Sequence, residues 1–112
     1  MIIFVIFAVQ LLYLFMYSNQ DIAKTIKDNF KFVNDSQIEL FERLPSIYSE
    51  WNEKINVISR KDIDNFYTNH VLHSLSIAAT IQFKDGVQIV DIGTGGGFPG
   101  VPLAVFFPNV QL

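Results

Sequence analysis

The chain has 112 residues, half of them hydrophobic, with no cysteine and a formal net charge of −3. This length allows one small domain at most. The lack of cysteine excludes disulfides and thiolate metal sites, and the acidic balance excludes a basic nucleic-acid footprint over the chain as a whole.

The chain opens on a hydrophobic extension, residues 1–20. Residues 1–17 are apolar except for Gln10, and several lysines follow. The run is at the short limit of a membrane span, which needs about 20 residues. Two interpretations stay open: a membrane anchor with a cytoplasmic remainder, which the following lysines favour, or a start codon assigned too early, with the true start near Met16. A secretory signal peptide fits less well, since no basic residue precedes the run.

Residues 21–85 predict a set of helices. The first is expected over residues 22–32 and is broken at residues 34–35. Ser36 and Glu39 then fit a capping box, in which the serine caps a second helix and the glutamate reaches back to it. The apolar face of that second helix is predicted at Ile38, Phe41 and Leu44.

Pro45 predicts an interruption, because proline has no N–H for a helical hydrogen bond; it ends the second helix or begins a third. The residues after it repeat at three- and four-residue spacing and predict a buried stripe: Ile47, Tyr48, Trp51 and Ile55. An aromatic platform for a cofactor is the alternative interpretation. Asp62 can cap a further helix, whose apolar residues run from Ile63 to Ala78.

His70 and His73 lie three residues apart on that helix, near one face. Two histidines at this spacing can hold a metal, but no third ligand stands at a matching spacing. Packed or capping histidines are therefore favoured, and no metal is expected. Arg60 and Lys61 are the only adjacent basic pair. They either solvate a loop, which the acidic balance favours, or contact the phosphates of a nucleic acid.

The most informative stretch follows a turn signal at residues 84–86. Residues 87–92 form a short apolar run ended by glycine, which predicts a buried strand. Residues 93–100 hold five of the six glycines of the chain, and glycine adopts positive φ at no steric cost.

Residues 101–107 predict a helix, with Pro99 or Pro102 in its first turn. A turn signal at residues 108–109 separates it from residues 110–112, which resemble the start of a second strand. A strand, a glycine loop and a helix N-terminus together predict a backbone that faces a nucleotide-like ligand.

Two glycine patterns overlap in this loop. Residues 95–100 fit the dinucleotide pattern G-x-G-x-x-G, which is weak by itself. The pattern Asp91-x-Gly93-x-Gly95-x-Gly97 places an acid at the strand end and glycines at alternate positions. It resembles the first motif of class I methyltransferases that use S-adenosylmethionine. Phe98 and Pro99 are bulky and rigid where a dinucleotide loop approaches the pyrophosphate, so this cofactor is favoured over NAD; a turn without a ligand is the remaining alternative.

Three blocks, in this order, resemble the GidB/RsmG family of bacterial methyltransferases. They are residues 48–60 (YSEWNEKINVISR), residues 70–75 (HVLHSL) and residues 91–103 (DIGTGGGFPGVPL). The third block includes a Pro-Gly-x-Pro tail that most methyltransferases lack. The resemblance covers residue 22 to the end of the chain and leaves out the hydrophobic start.

The resemblance implies an α/β fold: a Rossmann-like class I methyltransferase domain, begun by residues 86–112 and preceded by N-terminal helices. It implies S-adenosylmethionine as the cofactor. The implied cofactor-binding residues are Gly93 and Phe98 as contacts, Gly95 and Gly97 as shapers of the loop, and Asp91 at the strand end.

The implied reaction makes 7-methylguanosine in the RNA of the small ribosomal subunit, in the cytoplasm. Because the guanine ring nitrogen has no proton to lose, alignment matters more than a strong base. Neither a metal nor a catalytic nucleophile is therefore expected, and no catalytic residue is assigned.

The family's acidic residue for the ribose hydroxyls, its later cofactor contacts and most of its RNA surface are expected beyond Leu112. We therefore expect the 112 residues to be the N-terminal part of a longer α/β domain, inactive in methyl transfer by themselves. Two alternatives remain open. One is a fragment of an NAD- or nucleotide-binding oxidoreductase, and the other is a non-enzymatic remnant that residues 1–17 anchor to a membrane.

Overall fold

The computed structural model describes residues 22–112, so the predicted anchor at residues 1–17 lies outside the described range. Five α-helices and one π-helical segment make up the described fold: α1 Ile22–Asn29, α2 Asp35–Lys54, α3 Arg60–Ile63, the π-helical segment Tyr67–Leu72, α4 His73–Thr80 and α5 Gly100–Phe106. Within this range, none of the helices combines the length and apolarity needed to cross a bilayer.

Helix α2 begins with a capping box formed by Asn34 and Gln37. The Asn34 side chain accepts a hydrogen bond from the Gln37 amide at 2.9 Å, and Gln37 Oε1 accepts from the Asn34 amide at 2.9 Å. The prediction that Ser36 and Glu39 form this box is wrong by two residues. Asn34 has an extended backbone and the helix starts at the next residue, so Ser36 is already inside the first turn; asparagine and serine cap about equally well.

Helix α2 continues through Pro45, so the predicted interruption is wrong. Pro45 has no N–H to offer the Phe41 carbonyl four residues earlier. The Tyr67 hydroxyl donates to that carbonyl instead, at 3.1 Å. Burial and the nearby Glu42 carboxylate raise the pKa of Tyr67 to about 12, so the hydroxyl remains a donor at neutral pH. A donor from outside the helix therefore replaces the missing helical bond.

One face of α2 enters the core through Ile38, Phe41, Leu44 and Tyr48. This confirms the predicted apolar face of the second helix. The predicted burial of Trp51 and Ile55 is wrong, since these side chains are 51% and 60% exposed, and Ile47 is 38% exposed. The end of α2 extends past the packed core, and the Lys54 ammonium lies 5.1 Å from the centre of the Trp51 ring, where it makes a cation–π contact.

The predicted helix after Asp62 is divided in three. Ser59, rather than Asp62, stands at the N-cap of α3, and its hydroxyl donates to Asp62 Oδ2 at 2.6 Å. After α3 the chain widens into the π-helical segment, which buries Val71 and Leu72 before α4 begins. Such segments are rare and often lie at functional sites.

The core has two connected parts. The larger consists of Ile22, Ile26, Ile38, Phe41, Leu44, Tyr48, Ile58, Phe66, Val71, Leu72 and Leu75. The smaller consists of Ala78, Leu103 and Phe107. The Phe30 and Phe106 rings meet edge to face at 5.0 Å beside both parts. The helical region and α5 therefore share one apolar interior.

The two predicted strands meet in a single parallel bridge between Gln88 and Gln111. The Ile89 amide donates to the Gln111 carbonyl at 2.8 Å, and the Gln111 amide donates to the Val87 carbonyl at 3.0 Å. The predicted strand over residues 87–92 does not form, since its residues pair with the chain at this one bridge alone, but the parallel direction agrees with the predicted order of the two segments around the loop and α5. The predicted burial of residues 87–92 is wrong: Val90 is 79% exposed, because one bridge brings no sheet to cover it.

Gln37 also holds the far end of α5. Its Nε2 donates to the carbonyls of Val105 at 2.9 Å and Phe106 at 2.8 Å, the last two residues of that helix. The side chain is buried. One glutamine thus completes the start of α2 and satisfies two carbonyls that lack helical partners at the end of α5.

We expect Gln37→Glu to lower the free energy of unfolding by about 2 kcal/mol at neutral pH. Glutamate keeps the oxygen that accepts from Asn34, but it replaces the amide group that bonds the two α5 carbonyls. Chemical denaturation followed by circular dichroism measures the change. The control is Gln82→Glu, since Gln82 lies just after α4 and bonds the carbonyl of Ala78, four residues earlier in the chain. An equal loss in both variants would contradict this role of Gln37.

Candidate functional site

Asp91 closes the glycine loop, residues 91–100. The Gly100 amide donates to Asp91 Oδ2 at 2.9 Å. Gly100 is the first residue of α5, so this bond satisfies one of the amides left free at the helix start. A Cβ at Gly100 would lie 2.7 Å from the same oxygen. A side chain at this position would therefore push the carboxylate away, and glycine allows its close approach.

Three glycines of the loop adopt left-handed backbone conformations. Gly93, Gly95 and Gly97 have φ values of 71°, 57° and 91°, which residues with a Cβ rarely adopt. The amides of Gly97 and Phe98 both donate to the Thr94 carbonyl, at 3.0 and 3.2 Å. Glycine therefore stands at alternate positions of the loop because the backbone is left-handed at each of them.

The loop has an open face and a packed face. On the open face, apart from the adjoining residues, no atom of residues 22–112 lies within 4 Å of a Cβ placed at Gly93 or Gly95. On the packed face, a Cβ at Gly96 would lie 2.9 Å from the Val57 carbonyl, and one at Gly97 would lie 2.8 Å from Val101 Cγ2. A ligand can therefore approach the backbone at Gly93 and Gly95, while the protein occupies the other side.

The Phe98 ring packs against the helical region. Its centre lies 4.7 Å from the His70 ring, 5.0 Å from Tyr48 and 5.9 Å from Phe66. These four rings form the aromatic cluster under the loop. The Phe98–Pro99 peptide that follows is cis. The cluster fastens the packed face to α2 and to the π-helical segment.

Tyr48 also bonds the loop backbone directly. Its hydroxyl donates to the Gly96 carbonyl at 2.6 Å. Burial raises the pKa of Tyr48, so the phenol stays protonated and continues to donate. The hydroxyl oxygen would lie 3.1 Å from a Cβ at Gly97, which places it under two successive residues of the loop.

Asn52 shapes the segment that meets Gly96. Its Oδ1 accepts from the amides of Val57 and Ile58, at 2.8 and 2.9 Å, and its Nδ2 donates to the Ile58 carbonyl at 3.0 Å. Three bonds from one side chain fix the chain after α2. The Val57 carbonyl is thereby held against the packed face of the loop.

His70 packs in the cluster without a hydrogen bond to its Nε2 from any described residue. Its Nε2 lies 4.0 Å from Asp62 Oδ2. Burial lowers the pKa of His70, although the Asp62 carboxylate favours the proton. His73 is exposed on the next turn. Over residues 22–112, no three His, Cys, Asp or Glu side chains come together as a metal would require.

The predicted site residues lie in this one loop. The prediction assigns no role at the site to the residues that pack beneath the loop. Tyr48 stands in the stripe predicted to be core, with a cofactor platform as the alternative, and His70 is favoured to pack or cap over holding a metal. The one available signal is that both residues, with Asn52, fall inside the sequence blocks on which the resemblance depends. Arg60 and Lys61 are exposed at the start of α3.

Comparison with known proteins connects this loop to a family. The family profile described as GidB, rRNA small subunit methyltransferase G, matches residues 37–112. The following curated relatives all carry the name "Ribosomal RNA small subunit methyltransferase G". That of Flavobacterium johnsoniae is 57% identical over 82 residues, which are 73% of this chain and 39% of that protein. That of Cytophaga hutchinsonii is 58% identical over 84 residues, or 75% and 41%. That of Porphyromonas gingivalis is 55% identical over 89 residues, or 80% and 40%.

No solved structure matches the chain. The matches that exist place it among methyltransferases with a Rossmann-like fold. The chain belongs to the GidB family, rRNA small subunit methyltransferase G. This confirms the resemblance drawn from the three sequence blocks, all of which lie inside the matched residues. The chain spans about two fifths of the length of these curated relatives.

We expect Gly97→Ala to destabilise the chain more than Gly93→Ala does. Both residues have positive φ, which costs alanine about 1 kcal/mol. Only at Gly97 does the new Cβ also collide, 2.8 Å from Val101 Cγ2, which adds at least about 1 kcal/mol. Denaturant unfolding measures both losses. Gly86→Ala is the control, with φ of 78° in open space. Equal losses of unfolding free energy at Gly97 and Gly93 would show that Val101 does not pack tightly against the loop at Gly97.

Proposed function

We propose that this chain supplies the cofactor loop of an enzyme that methylates a guanine at N7 in small-subunit ribosomal RNA, with S-adenosylmethionine as the methyl donor. The observation that carries the proposal is the open face of the loop. Gly93 and Gly95 both have positive φ and open space beside them, so a ligand can lie directly on the backbone. Membership of the GidB family supports the reaction class.

The residues of the loop fit this cofactor better than a dinucleotide. The Asp91 carboxylate already bonds the first amide of α5, at the helix start where a dinucleotide would place its negatively charged pyrophosphate. S-adenosylmethionine supplies an activated methyl group on a positively charged sulfur. The oxidoreductase alternative thus loses its support both in the loop and in the family.

We assign the cofactor contacts to Gly93, Gly95 and Phe98. Because the Phe98 ring packs on the helical region, Phe98 would meet the cofactor through its main chain. Asp91 and Gly97 act inside the loop: Asp91 closes it, and Gly97 turns it against Val101. In this proposal the chain binds and orients, which is what a transfer to an unprotonated ring nitrogen requires.

The RNA substrate is proposed from the relatives, whose name specifies the ribosomal RNA of the small subunit. The N7 position and the cytoplasmic location follow from the resemblance to the family. The chain matches only about two fifths of those proteins. We therefore expect the 112 residues alone to be inactive in methyl transfer.

A chimeric enzyme tests the proposal. Residues 37–112 replace the matching segment of the Flavobacterium johnsoniae relative, in cells that lack the natural gene. Mass spectrometry of digested small-subunit RNA then measures 7-methylguanosine. We expect the chimera to restore the modification, and the 112 residues alone to restore none. Gly93→Val in the chimera should reduce it at least about tenfold, because a side chain fills the open face.

The matched control is Gly86→Val, which places the same side chain at a left-handed, open glycine outside the loop. It should leave the modification close to that of the parent chimera. A chimera that accumulates but leaves the RNA unmethylated would contradict the proposal, as would full activity of Gly93→Val. Methylation at a different atom would correct the target and retain the cofactor site.

A further inference from the structure

We propose that Tyr48 and His70 are positioning residues that hold the packed face of the loop, so that its open face keeps the shape that binds the cofactor. The identity of the ligand rests on the proposed function, whereas the positioning is argued from the contacts alone. The helical region that precedes the loop would then contribute to cofactor binding by fixing the conformation of the loop.

Tyr48 acts on the peptide that joins Gly96 to Gly97. A peptide unit is planar, so the hydrogen bond from the Tyr48 hydroxyl to the Gly96 carbonyl, at 2.6 Å, fixes the direction of the next amide as well. The φ of Gly97, at 91°, depends on that plane. Loss of the hydroxyl would free the peptide to rotate, and the left-handed turn would loosen with it.

His70 packs against the side chain of Phe98, the residue that follows Gly97. Its ring lies 4.7 Å from the Phe98 ring, inclined by 32°. The π-helical segment sets its position, since no described residue bonds its Nε2. The contact is one of ring against ring. An aromatic substitute at position 70 should therefore preserve it and alanine should not.

The chain offers a matched control in Tyr67. Its hydroxyl also donates to a backbone carbonyl, that of Phe41, at 3.1 Å, and burial raises the pKa of both phenols. Tyr67 supports α2, however, and makes no contact with the loop in any described hydrogen bond or ring pair. A purely structural role for Tyr48 predicts the same consequences for the loss of either hydroxyl.

The test has two readouts: loop exchange in the 112-residue chain, and cofactor binding in the chimeric enzyme, which supplies the cofactor contacts expected beyond Leu112. Amide hydrogen exchange followed by NMR reports the loop at Gly97 and Phe98, and calorimetry with S-adenosylhomocysteine reports binding. We expect Tyr48→Phe to speed loop exchange about tenfold relative to core amides and to raise Kd at least about fivefold. Tyr67→Phe should lower the melting temperature but leave both loop exchange and Kd within about twofold.

His70 provides a second, independent pair of variants. His70→Ala should behave like Tyr48→Phe, and His70→Phe should restore slow exchange and tight binding. Wild-type loop exchange in Tyr48→Phe and His70→Ala would overturn the inference, as would a Tyr67→Phe chain that changes the loop equally. If Tyr48→Phe does not fold, the His70 pair decides by the same readouts.

An incorrect cofactor assignment would give a different result from an incorrect assignment of the positioning residues. In the first case the chimera with unchanged Tyr48 and His70 does not bind S-adenosylhomocysteine, while the exchange rates of the chain still show whether Tyr48 and His70 hold the loop.

Discussion

The hydrogen bond between the Gly100 amide and the Asp91 carboxylate, 2.9 Å long, joins the two ends of the glycine loop. A loop so rich in glycine has few side chains with which to pack itself, and glycine loses more conformational freedom on folding than any other residue. Its shape must therefore be imposed by its ends and by the surface beneath it. Asp91 supplies the first constraint and uses one carboxylate oxygen to do so.

Helix α2 supplies the second constraint from two positions on one face. Gln37 bonds the C-terminal end of α5, and Tyr48 bonds the loop that precedes the N-terminal end of α5. Eleven residues separate them, close to three full turns, so their side chains point the same way about 16 Å apart. This alignment needs a continuous helix, and the Tyr67 hydroxyl maintains the helix where Pro45 removes a bond. The Tyr67 contact thus stabilises α2 without touching the loop.

The loop was the most predictable part of the chain because its requirements are local. Left-handed turns call for glycine, and Gly93, Gly95 and Gly97 stand where the backbone makes them. The continuity of α2 was not predictable, since the donor that replaces the Pro45 amide comes from a distant residue. The burial of residues 87–92 was mispredicted for a similar reason: the burial of a strand depends on its neighbours.

The residues that pack beneath the loop were only partly predictable from the sequence. The sequence places Tyr48 on an apolar stripe with Trp51, and spacing alone cannot tell which ring enters the core. The packed core ends between them, so Tyr48 is buried beneath the loop while Trp51 is half exposed. Only the tertiary fold distinguishes a ring that supports the site from one that faces solvent.

The central claim is that the loop has an open face that receives the cofactor and a packed face that the protein holds. NMR of the isotope-labelled chimeric enzyme, titrated with S-adenosylhomocysteine, measures which amides of the loop the cofactor reaches. We expect saturable shifts of the Gly93 and Gly95 amides, an unmoved Gly86 amide and no response to NAD. Unmoved amides at Gly93 and Gly95, or an equal response to NAD, would contradict it.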